Sequence, residues 1–333
     1  MRELTYEKEE KYLSHYAARS KDTKGRVRPE EPCPMRTDYQ RDRDRIIHSK
    51  AFRRLKNKTQ VFLSPEGDHY RTRLTHTLDV SQIARSIARS LMLNEDLTEA
   101  IALGHDLGHT PFGHAGEKTL SRMTDGQFEH SRQSRRVVEI LENEGRGLNL
   151  TLEVRDGIEN HQLEGRPMTL EGRVVCLADK IAYINHDIDD ALRAGILREE
   201  ELPKESIALL GRTSRERINA MILSIYKKSF GKNLVDMEDD VKQATLSLRS
   251  FLYERVYRDN DAKTEEVKAD RMLEAMFGFY LKHEEELPPF YRELRQRFGL
   301  KQAICDYIAS MSDKYAVYAF SRLFIPSSWK LDN

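Results

Sequence analysis

Histidine and acidic side chains are concentrated in one part of this 333-residue chain. Six of the eleven histidines fall between residues 69 and 130, where an even spread would place about two. Within that window, the segment HDLGHTPFGHAGE at residues 105–117 holds three histidines, two acids and three glycines. Imidazoles and carboxylates at this density are typical of a metal centre or of a site for acid–base chemistry.

Two of these histidines are predicted to point towards the protein interior. The first, His76, shares one helical face with three apolar residues, namely Val80, Ile83 and Ile87. The second, His105, stands four residues after Ile101 and directly before Asp106. A buried imidazole beside a buried carboxylate needs a partner, and a divalent metal ion is the commonest one.

A fourth ligand is predicted at Asp179, which lies in the apolar run VVCLADKIAYI, because an unpaired carboxylate would be costly to bury there. Three polar residues follow Asp179 at helical offsets of four, seven and eight, namely Tyr183, His186 and Asp187. Such a polar stripe on a buried face indicates the wall of a site, and a solvent-facing strip is the alternative. Two imidazoles and two carboxylates suit Mn²⁺, Fe²⁺, Mg²⁺, Zn²⁺, Co²⁺ or Ni²⁺.

The elements that must position these side chains are predicted to be helices. Apolar residues recur at three to five positions from Leu74 to Leu91, and Asn94 is placed to cap the next helix. Further helices are predicted at 172–194, where Gly195 would end the helix, within 205–282, and at 301–324. Strand-like alternation is scarce, and residues 20–36 are predicted to form an exposed loop. The prediction is therefore an all-α fold.

We predict one mostly helical unit, residues 1–333, because the chain has no repeat, low-complexity tract or clear linker. Within it we expect an N-terminal arm with helices at 1–60, a metal-binding core at 61–200 and a C-terminal helical region at 201–333. This length is sufficient to bury a sizeable core.

Composition restricts the environment of the protein. The 55 basic and 55 acidic residues balance, which argues against a surface devoted to nucleic acid or anionic membrane. We find no apolar run long enough for a membrane span and expect no signal or transit peptide. Three widely spaced cysteines form no disulfide framework, so we expect a reducing, cytoplasmic location.

The order of His76, His105-Asp106 and Asp179 resembles that of the HD superfamily of metal-dependent phosphohydrolases. Longer segments are similar to the deoxynucleoside triphosphate triphosphohydrolases of the dGTPase branch, and they lie at residues 41–62, 105–117, 128–131, 178–190 and 311–316. The resemblance covers nearly the whole chain. It implies an HD-domain helical fold with additional N- and C-terminal helices, and a homo-oligomer, with a hexamer as one candidate size.

The resemblance also implies an activity and the residues that perform it. The family cuts a dNTP between the 5′ oxygen and the α-phosphorus, which releases a deoxynucleoside and inorganic triphosphate. One divalent metal ion is expected on four residues, His76, His105, Asp106 and Asp179. The expected catalytic pair is His114, assisting proton transfer to the leaving oxygen, and Glu117, fixing the tautomer of His114.

Substrate contacts are implied in the same way. Facing the phosphates we expect Arg73, His109, His130 and Lys180. Facing the sugar we expect Gln60, Asp187 and Tyr183, with the tyrosine excluding a ribose 2′-hydroxyl. A role in the site or in a subunit contact is left open for Arg45, Arg53 and Arg54. No role is expected for His15, His48, His69, His161 and His283.

Two alternatives remain open from the sequence. One is another HD phosphohydrolase, a 5′-nucleotidase or a cyclic-nucleotide phosphodiesterase. The other is a catalytically weak regulator that binds dNTPs or single-stranded DNA, although the balanced charge gives no support for nucleic-acid binding. The preferred base, the cellular metal, activation by a second dNTP and the exact oligomeric state are not predicted.

Overall fold

The computed structural model describes residues 1–60, 71–257 and 262–326. Within those ranges it contains sixteen α-helices, no named strand and two isolated β-bridges, which confirms the all-α prediction. None of the described helices is both long enough and apolar enough to cross a membrane. His69 and the end of the predicted 41–62 segment lie outside the described residues.

The helices fall into three consecutive groups along the chain. The first group is α1 (Arg2–Tyr12), α2 (Asp38–His48) and α3 (Lys50–Arg54). The second is α4 (Arg73–Ser90), α5 (Glu95–Gly104), α6 (Gly113–Met123), α7 (His130–Arg136), α8 (Leu152–Glu159) and α9 (Leu170–Arg193). The third is α10 (Lys204–Leu210), α11 (Ser214–Ser229), α12 (Asp239–Leu252), α13 (Ala262–Lys282), α14 (Pro289–Phe298), α15 (Leu300–Ala309) and α16 (Asp313–Phe324). Single π-helical turns continue α7 over Val137–Leu141 and α12 over Tyr253–Tyr257.

Three helices of the second group begin at side-chain caps. Thr72 caps α4 by accepting a hydrogen bond from the Thr75 amide, Asn94 caps α5, and Thr169 caps α9. Because α4 packs along α9 and against α5, these caps set where residues on the three helices meet. The predicted helices 74–91 and 172–194 and the predicted cap at Asn94 are confirmed.

The apolar side chains form two buried clusters. The larger one joins helices from α2 to α12 around α4, α5 and α9. The smaller one joins α6 to the C-terminal helices α13, α15 and α16. Helix α6 therefore connects the region of the predicted metal ligands to the C-terminal helices.

The C-terminal segment differs from its prediction. Residues 301–324 form two helices instead of one, because Ser312 caps a new helix by accepting a hydrogen bond from the Tyr315 amide. The break places the Asp313 carboxylate where it accepts hydrogen bonds from the amides of Thr59 and Phe112. The sequence prediction also missed α14, which begins at Pro289.

The predicted loop at 20–36 is irregular, but parts of it are buried. The Arg26 side chain is 5% exposed, pairs with Asp38 and Asp42, and donates to the Asn149 carbonyl. Ser20 is also buried and donates to Glu9 through its amide and hydroxyl. Apart from these contacts, most residues of the loop are exposed, as the sequence predicted.

Candidate metal centre and substrate cavity

The structure brings the four predicted metal ligands together. The Nε2 atom of His76 lies 3.0 Å from Oδ1 of Asp179. The Nε2 atom of His105 lies 3.8 Å from that same oxygen and 3.7 Å from Oδ1 of Asp106. These side chains come from α4, from the two residues after α5 and from the middle of α9, so the packing of three helices creates the cluster.

Both histidines present a nitrogen lone pair to this cluster. The Nδ1 atom of His105 donates to the Ala102 carbonyl at 2.7 Å, and its Nε2 atom is buried without a hydrogen-bond partner in the described part of the chain. His76 points into the core from α4, as the sequence predicted, and is 1% exposed. An orphaned buried nitrogen beside two carboxylates fits a bound cation.

A layer of residues behind His76 fixes its tautomer. The Nδ1 atom of His76 lies 3.3 Å from Nδ1 of His186, and Nε2 of His186 lies 3.0 Å from Oδ2 of Asp79. Because an ionised carboxylate only accepts, His186 donates to Asp79 and accepts from His76. The Nε2 lone pair of His76 then faces a carboxylate oxygen at 3.0 Å, and a cation between them would remove the repulsion.

That distance also suits coordination. Two ligand atoms at about 2.1 Å from one metal ion, at right angles, lie about 3.0 Å apart. The residues present therefore fit a divalent ion. Sequence reasoning noted His186 in the polar stripe but missed Asp79, whose signal is its position three residues after His76 on α4.

Electrostatics keep the ligands in the protonation states that bind metal. Burial lowers the pKa of His76, so the imidazole is neutral. Burial acts to raise the pKa of Asp179, but the neighbouring imidazoles, first that of His76 and then that of His105, outweigh it and lower that pKa. For Asp106 burial is likewise outweighed, by Arg73 at 2.6 Å, and the pKa falls well below its usual value. Neutral imidazoles and ionised carboxylates are the forms that coordinate.

The predicted catalytic pair is adjacent, but its closest contacts differ from the expectation. The Nδ1 atom of His114 lies 3.7 Å from Oε2 of Glu117, which is longer than a hydrogen bond. The other oxygen of Glu117 accepts from both the amide and Nδ1 of His130, each at 2.8 Å. His114 is 56% exposed and faces the cavity, so it is the more accessible member of the pair.

A cavity of about 870 Å³ opens in front of the metal cluster. Predicted substrate residues that line it are Gln60, Arg73, His109, His130, Lys180 and Tyr183. Asp187 is fully buried one turn beyond Tyr183 on α9 and is not among the lining residues that the structure describes. The structure therefore brings six of the seven predicted substrate residues to one cavity.

One wall of the cavity was not found from the sequence. It consists of residues from α12 and the π-helical turn after it, namely Leu246, Arg249, Ser250, Tyr253 and Glu254. These residues lie more than 60 positions after Asp179 in a segment whose composition signalled only helix. Burial lowers the pKa of Lys180 to about 8, and the charge of Arg249 adds to that effect.

Comparisons with known proteins agree with this geometry. An HD domain family model matches residues 73–184, and a phosphohydrolase-associated domain model matches residues 235–322. A "Deoxyguanosinetriphosphate triphosphohydrolase-like protein" of Caldanaerobacter subterraneus subsp. tengcongensis is 58% identical over 99% of this chain and 97% of its own. One from Desulfatibacillum aliphaticivorans is 48% identical over 98% and 99%.

A crystal structure of a hypothetical protein from Aquifex aeolicus is 21% identical with a TM-score of 0.49, covering 85% of this chain and 71% of that one. The alignments with the two relatives named above span nearly the full length of both chains in each pair. Their sequence identities of 58% and 48% therefore show the family. The chain belongs to the deoxyguanosinetriphosphate triphosphohydrolase-like family of HD-domain proteins.

Proposed function

We propose that this protein hydrolyses deoxynucleoside triphosphates to a deoxynucleoside and inorganic triphosphate. The observation that carries the proposal is a cluster of potential metal ligands at the base of a cavity that is also lined by several basic side chains. Membership of the family supports a phosphohydrolase, and the names of the relatives point to a deoxynucleoside triphosphate as substrate.

The metal ion is proposed to bind on His76, His105, Asp106 and Asp179. When bound, a divalent ion supplies polarisation of a phosphoryl oxygen and orientation of a water nucleophile. The nitrogen and oxygen ligands suit the ions from Mg²⁺ to Zn²⁺ named above, without selecting one.

The phosphates are proposed to lie between the metal cluster and the cationic walls. A triphosphate carries about four negative charges, which charge-assisted hydrogen bonds must balance. From the metal-facing wall of the cavity, Arg73 on α4 and Lys180 on α9 offer such donors, and Arg249 adds a third from α12. Neutral His109, whose pKa is lowered by burial and by Arg73, adds a ring at the same wall.

The leaving 5′ oxygen needs a proton, and His114 is proposed to supply it. Its ring is exposed to the cavity, while Glu117 lies behind it with a pKa that His114 and His130 lower despite burial. An ionised Glu117 stabilises a protonated His114 by charge at 3.7 Å, and a small rotation of His114 would form the hydrogen bond.

The sugar is proposed to contact Gln60 and Tyr183. The buried Oε1 atom of Gln60 has no hydrogen-bond partner within the described residues, and the side chain lines the cavity. A 3′-hydroxyl is a donor that would satisfy this oxygen. For Asp187, the proposed contact with the 3′-hydroxyl requires movement of the cavity wall, since this carboxylate is fully buried. Homo-oligomer formation and a cytoplasmic location remain predictions.

The test is a product assay on the full chain. Metal-stripped protein with Mn²⁺ or Mg²⁺ added back receives each dNTP alone, all four together and the matching NTPs, and anion exchange separates the products. We expect triphosphate and deoxynucleoside from dNTPs, none with chelator, and none from NTPs. Orthophosphate released from monophosphates would instead indicate a nucleotidase, and binding without turnover would indicate a regulator.

A further inference from the structure

We propose that Asp313, at the start of α16, is a positioning residue, which holds His114 for proton transfer by fixing the turn that begins α6. Its Oδ1 atom accepts a hydrogen bond from the Phe112 amide at 3.0 Å, two residues before His114. The Asp313 side chain is buried and is not among the described residues that line the cavity, so it acts through the turn and not on the substrate. The inference deepens the proposed function and rests on it, because His114 is the proposed proton donor.

The turn before α6 needs an anchor because its backbone conformation is unfavourable. Phe112 has φ +63° and Gly113 has φ +57°, so two consecutive residues lie in the left-handed region. A bulky side chain at such φ costs free energy and persists only where the surrounding structure holds it. Phe112 is also the N-cap of α6, and its side chain makes no capping hydrogen bond. The direction in which α6 presents His114 therefore depends on contacts from outside the helix.

The C-terminal helices hold the segment 109–112 at both of its ends. At the first end, Lys58 donates from Nζ to the His109 carbonyl, and the same Nζ donates to the Ala309 carbonyl at 2.8 Å. At the second end lies the contact of Asp313 described above. The junction of α15 and α16 supplies both anchors, so it fixes the segment that leads from the metal ligands into α6.

The second oxygen of Asp313 binds a residue that has further anchors. The amide of Thr59 donates to Oδ2 at 2.9 Å, and the hydroxyl of Thr59 donates to the same oxygen. This part of the chain is also tied to α4, because the Arg73 amide donates to the Lys58 carbonyl at 3.0 Å and Nε of Arg73 donates to the Thr59 carbonyl at 3.2 Å. Loss of the carboxylate should therefore release the turn at Phe112 more than it releases Thr59, so kcat should respond more than substrate binding.

The substitution Asp313→Asn tests the contact in full-length protein loaded with Mn²⁺. Asparagine has the shape of aspartate but only one acceptor oxygen, so it cannot accept from both Phe112 and Thr59. We expect kcat for a dNTP to fall about 10- to 100-fold, since a misplacement of about 1 Å can cost about 100-fold, while KM and Mn²⁺ affinity stay close to native values. Asp313→Glu keeps both acceptor oxygens in case asparagine impairs folding, and its displaced carboxylate should give a smaller loss of kcat.

The matched control is Asp125→Asn. This carboxylate lies just beyond the end of α6 and pairs with Lys301 of α15 at 3.1 Å, so it also joins α6 to the C-terminal helices. Its side chain is 77% exposed, and it is not among the described residues that line the cavity. We expect native kcat and KM for this variant. A loss equal to that of Asp313→Asn would show that any weakened link between α6 and the C-terminal helices has this effect, and would overturn the inference.

A double-mutant cycle separates positioning of His114 from a general structural role. In a His114→Ala background no ring is left to position, so adding Asp313→Asn should change the residual turnover little. A structural role would lower turnover by the same factor in both backgrounds. Single-turnover kinetics with enzyme in excess measure all four proteins, and equal losses in the two backgrounds would contradict the assignment.

Hydrogen exchange of backbone amides tests the anchor without turnover. Mass spectrometry of peptides that cover residues 109–117 should show faster exchange in Asp313→Asn than in the native protein, and no change in Asp125→Asn. Unchanged exchange in a native protein that does hydrolyse dNTPs would overturn this inference and leave the proposed function intact. A native protein without dNTP turnover would instead overturn the proposed function, and the exchange result would still decide whether Asp313 holds the turn.

Discussion

The two walls of the cavity are built differently. On the metal-facing wall the side chains are buried and held from behind, as His105 is by Ala102 and His76 by His186. On the opposite wall, Arg249, Ser250 and Tyr253 are exposed, and the last of them is 66% accessible. The first wall comes from α4, α5 and α9, and the second from α12 and its π-helical turn.

The difference shows which side chains are already in position before a substrate binds and which side chains the substrate must order. Rigid buried ligands hold a metal ion with little reorganisation, which favours electrostatic stabilisation of a transition state. Exposed arginine and tyrosine side chains keep their conformational freedom until a ligand orders them. Substitutions on the first wall should therefore abolish function, and those on the second should weaken binding.

The largest effect is expected from Asp179→Asn. The variant keeps the shape of the side chain but removes the charge between His76 and His105, so Mn²⁺ affinity should fall more than about 100-fold, beyond the range typical of residues behind a ligand. Isothermal titration with Mn²⁺ and the dNTP product assay measure both losses. Asp240→Asn, at an exposed carboxylate on α12, is the matched control, and a variant of Asp179 that retains metal would refute the ligand assignment.

The next effect is expected from His114→Ala. Loss of the proton donor should slow turnover by about 10²–10⁴-fold, while Mn²⁺ binding and dNTP binding persist. Single-turnover kinetics with bound metal measured in parallel would separate chemistry from binding. Turnover equal to that of the native protein would remove His114 from the mechanism.

A smaller effect on metal binding is expected from substitutions of the residues that lie behind the metal ligands. His186→Ala and Asp79→Asn should each weaken Mn²⁺ binding by about 10–100-fold, because His76 loses the partner that sets its tautomer. Gln82→Ala, an exposed position on the same helix, should bind Mn²⁺ like the native protein. If His186→Ala binds Mn²⁺ normally, the metal-facing wall does not depend on the layer behind it.

On the opposite wall, Arg249→Ala should raise KM for a dNTP by about 10-fold with little change in kcat. One charge-assisted hydrogen bond contributes about 1.5–3 kcal/mol, and exposure places Arg249 at the lower end of that range. Steady-state kinetics against dNTP concentration provide the measurement, with Lys242→Ala on the same helix as the control. A fall in kcat with unchanged KM would show that Arg249 acts in the chemical step. That result would contradict the proposed difference between the two walls.

The smallest effect on the site is expected from Glu171→Gln, although this residue lies on α9 with Asp179. Burial raises the pKa of Glu171 to about 7, and the charge of Glu9 adds to the effect, although hydrogen bonds from the amides of Ala18 and Asn94 oppose it. The folded state then binds a proton more tightly than the unfolded state does. Native stability should therefore fall as pH rises from about 4.5 to about 7.

Glutamine cannot ionise, so this part of the pH dependence should disappear in the variant. Between pH 5 and pH 8 the stability of Glu171→Gln should gain about 2 kcal/mol relative to the native protein. Urea unfolding at the two pH values measures the difference, and dNTP turnover at pH 7 should be unchanged. Parallel pH curves for the two proteins would show that Glu171 keeps an ordinary pKa.

The metal-facing wall could be predicted from the sequence because its signals are local. Helical offsets placed His76 among apolar residues, and the His105-Asp106 pair and the position of Asp179 within an apolar run completed the set. Of the two residues behind His76, the sequence analysis noted His186 but missed Asp79. Asp79 contacts His186 across more than 100 residues, and no local pattern encodes that contact.

The opposite wall could not be predicted for the same physical reason. Arg249 and Tyr253 reach the cavity only because α12 packs on α9 and then continues into a π-helical turn. The break between α15 and α16 was also missed, since a serine cap within an apolar, helix-forming stretch is a weak local signal. The contact between His161 and His130, whose Nε2 atoms lie 3.2 Å apart, was missed as well, because composition and spacing do not reveal it.

The most direct measurement is the anion-exchange analysis of products from metal-loaded protein given the four dNTPs together. The proposed function predicts inorganic triphosphate and deoxynucleoside in equal amounts, lost with chelator and in Asp179→Asn. Release of orthophosphate or pyrophosphate instead of triphosphate would contradict cleavage between the 5′ oxygen and the α-phosphorus, even if the metal cluster binds as proposed.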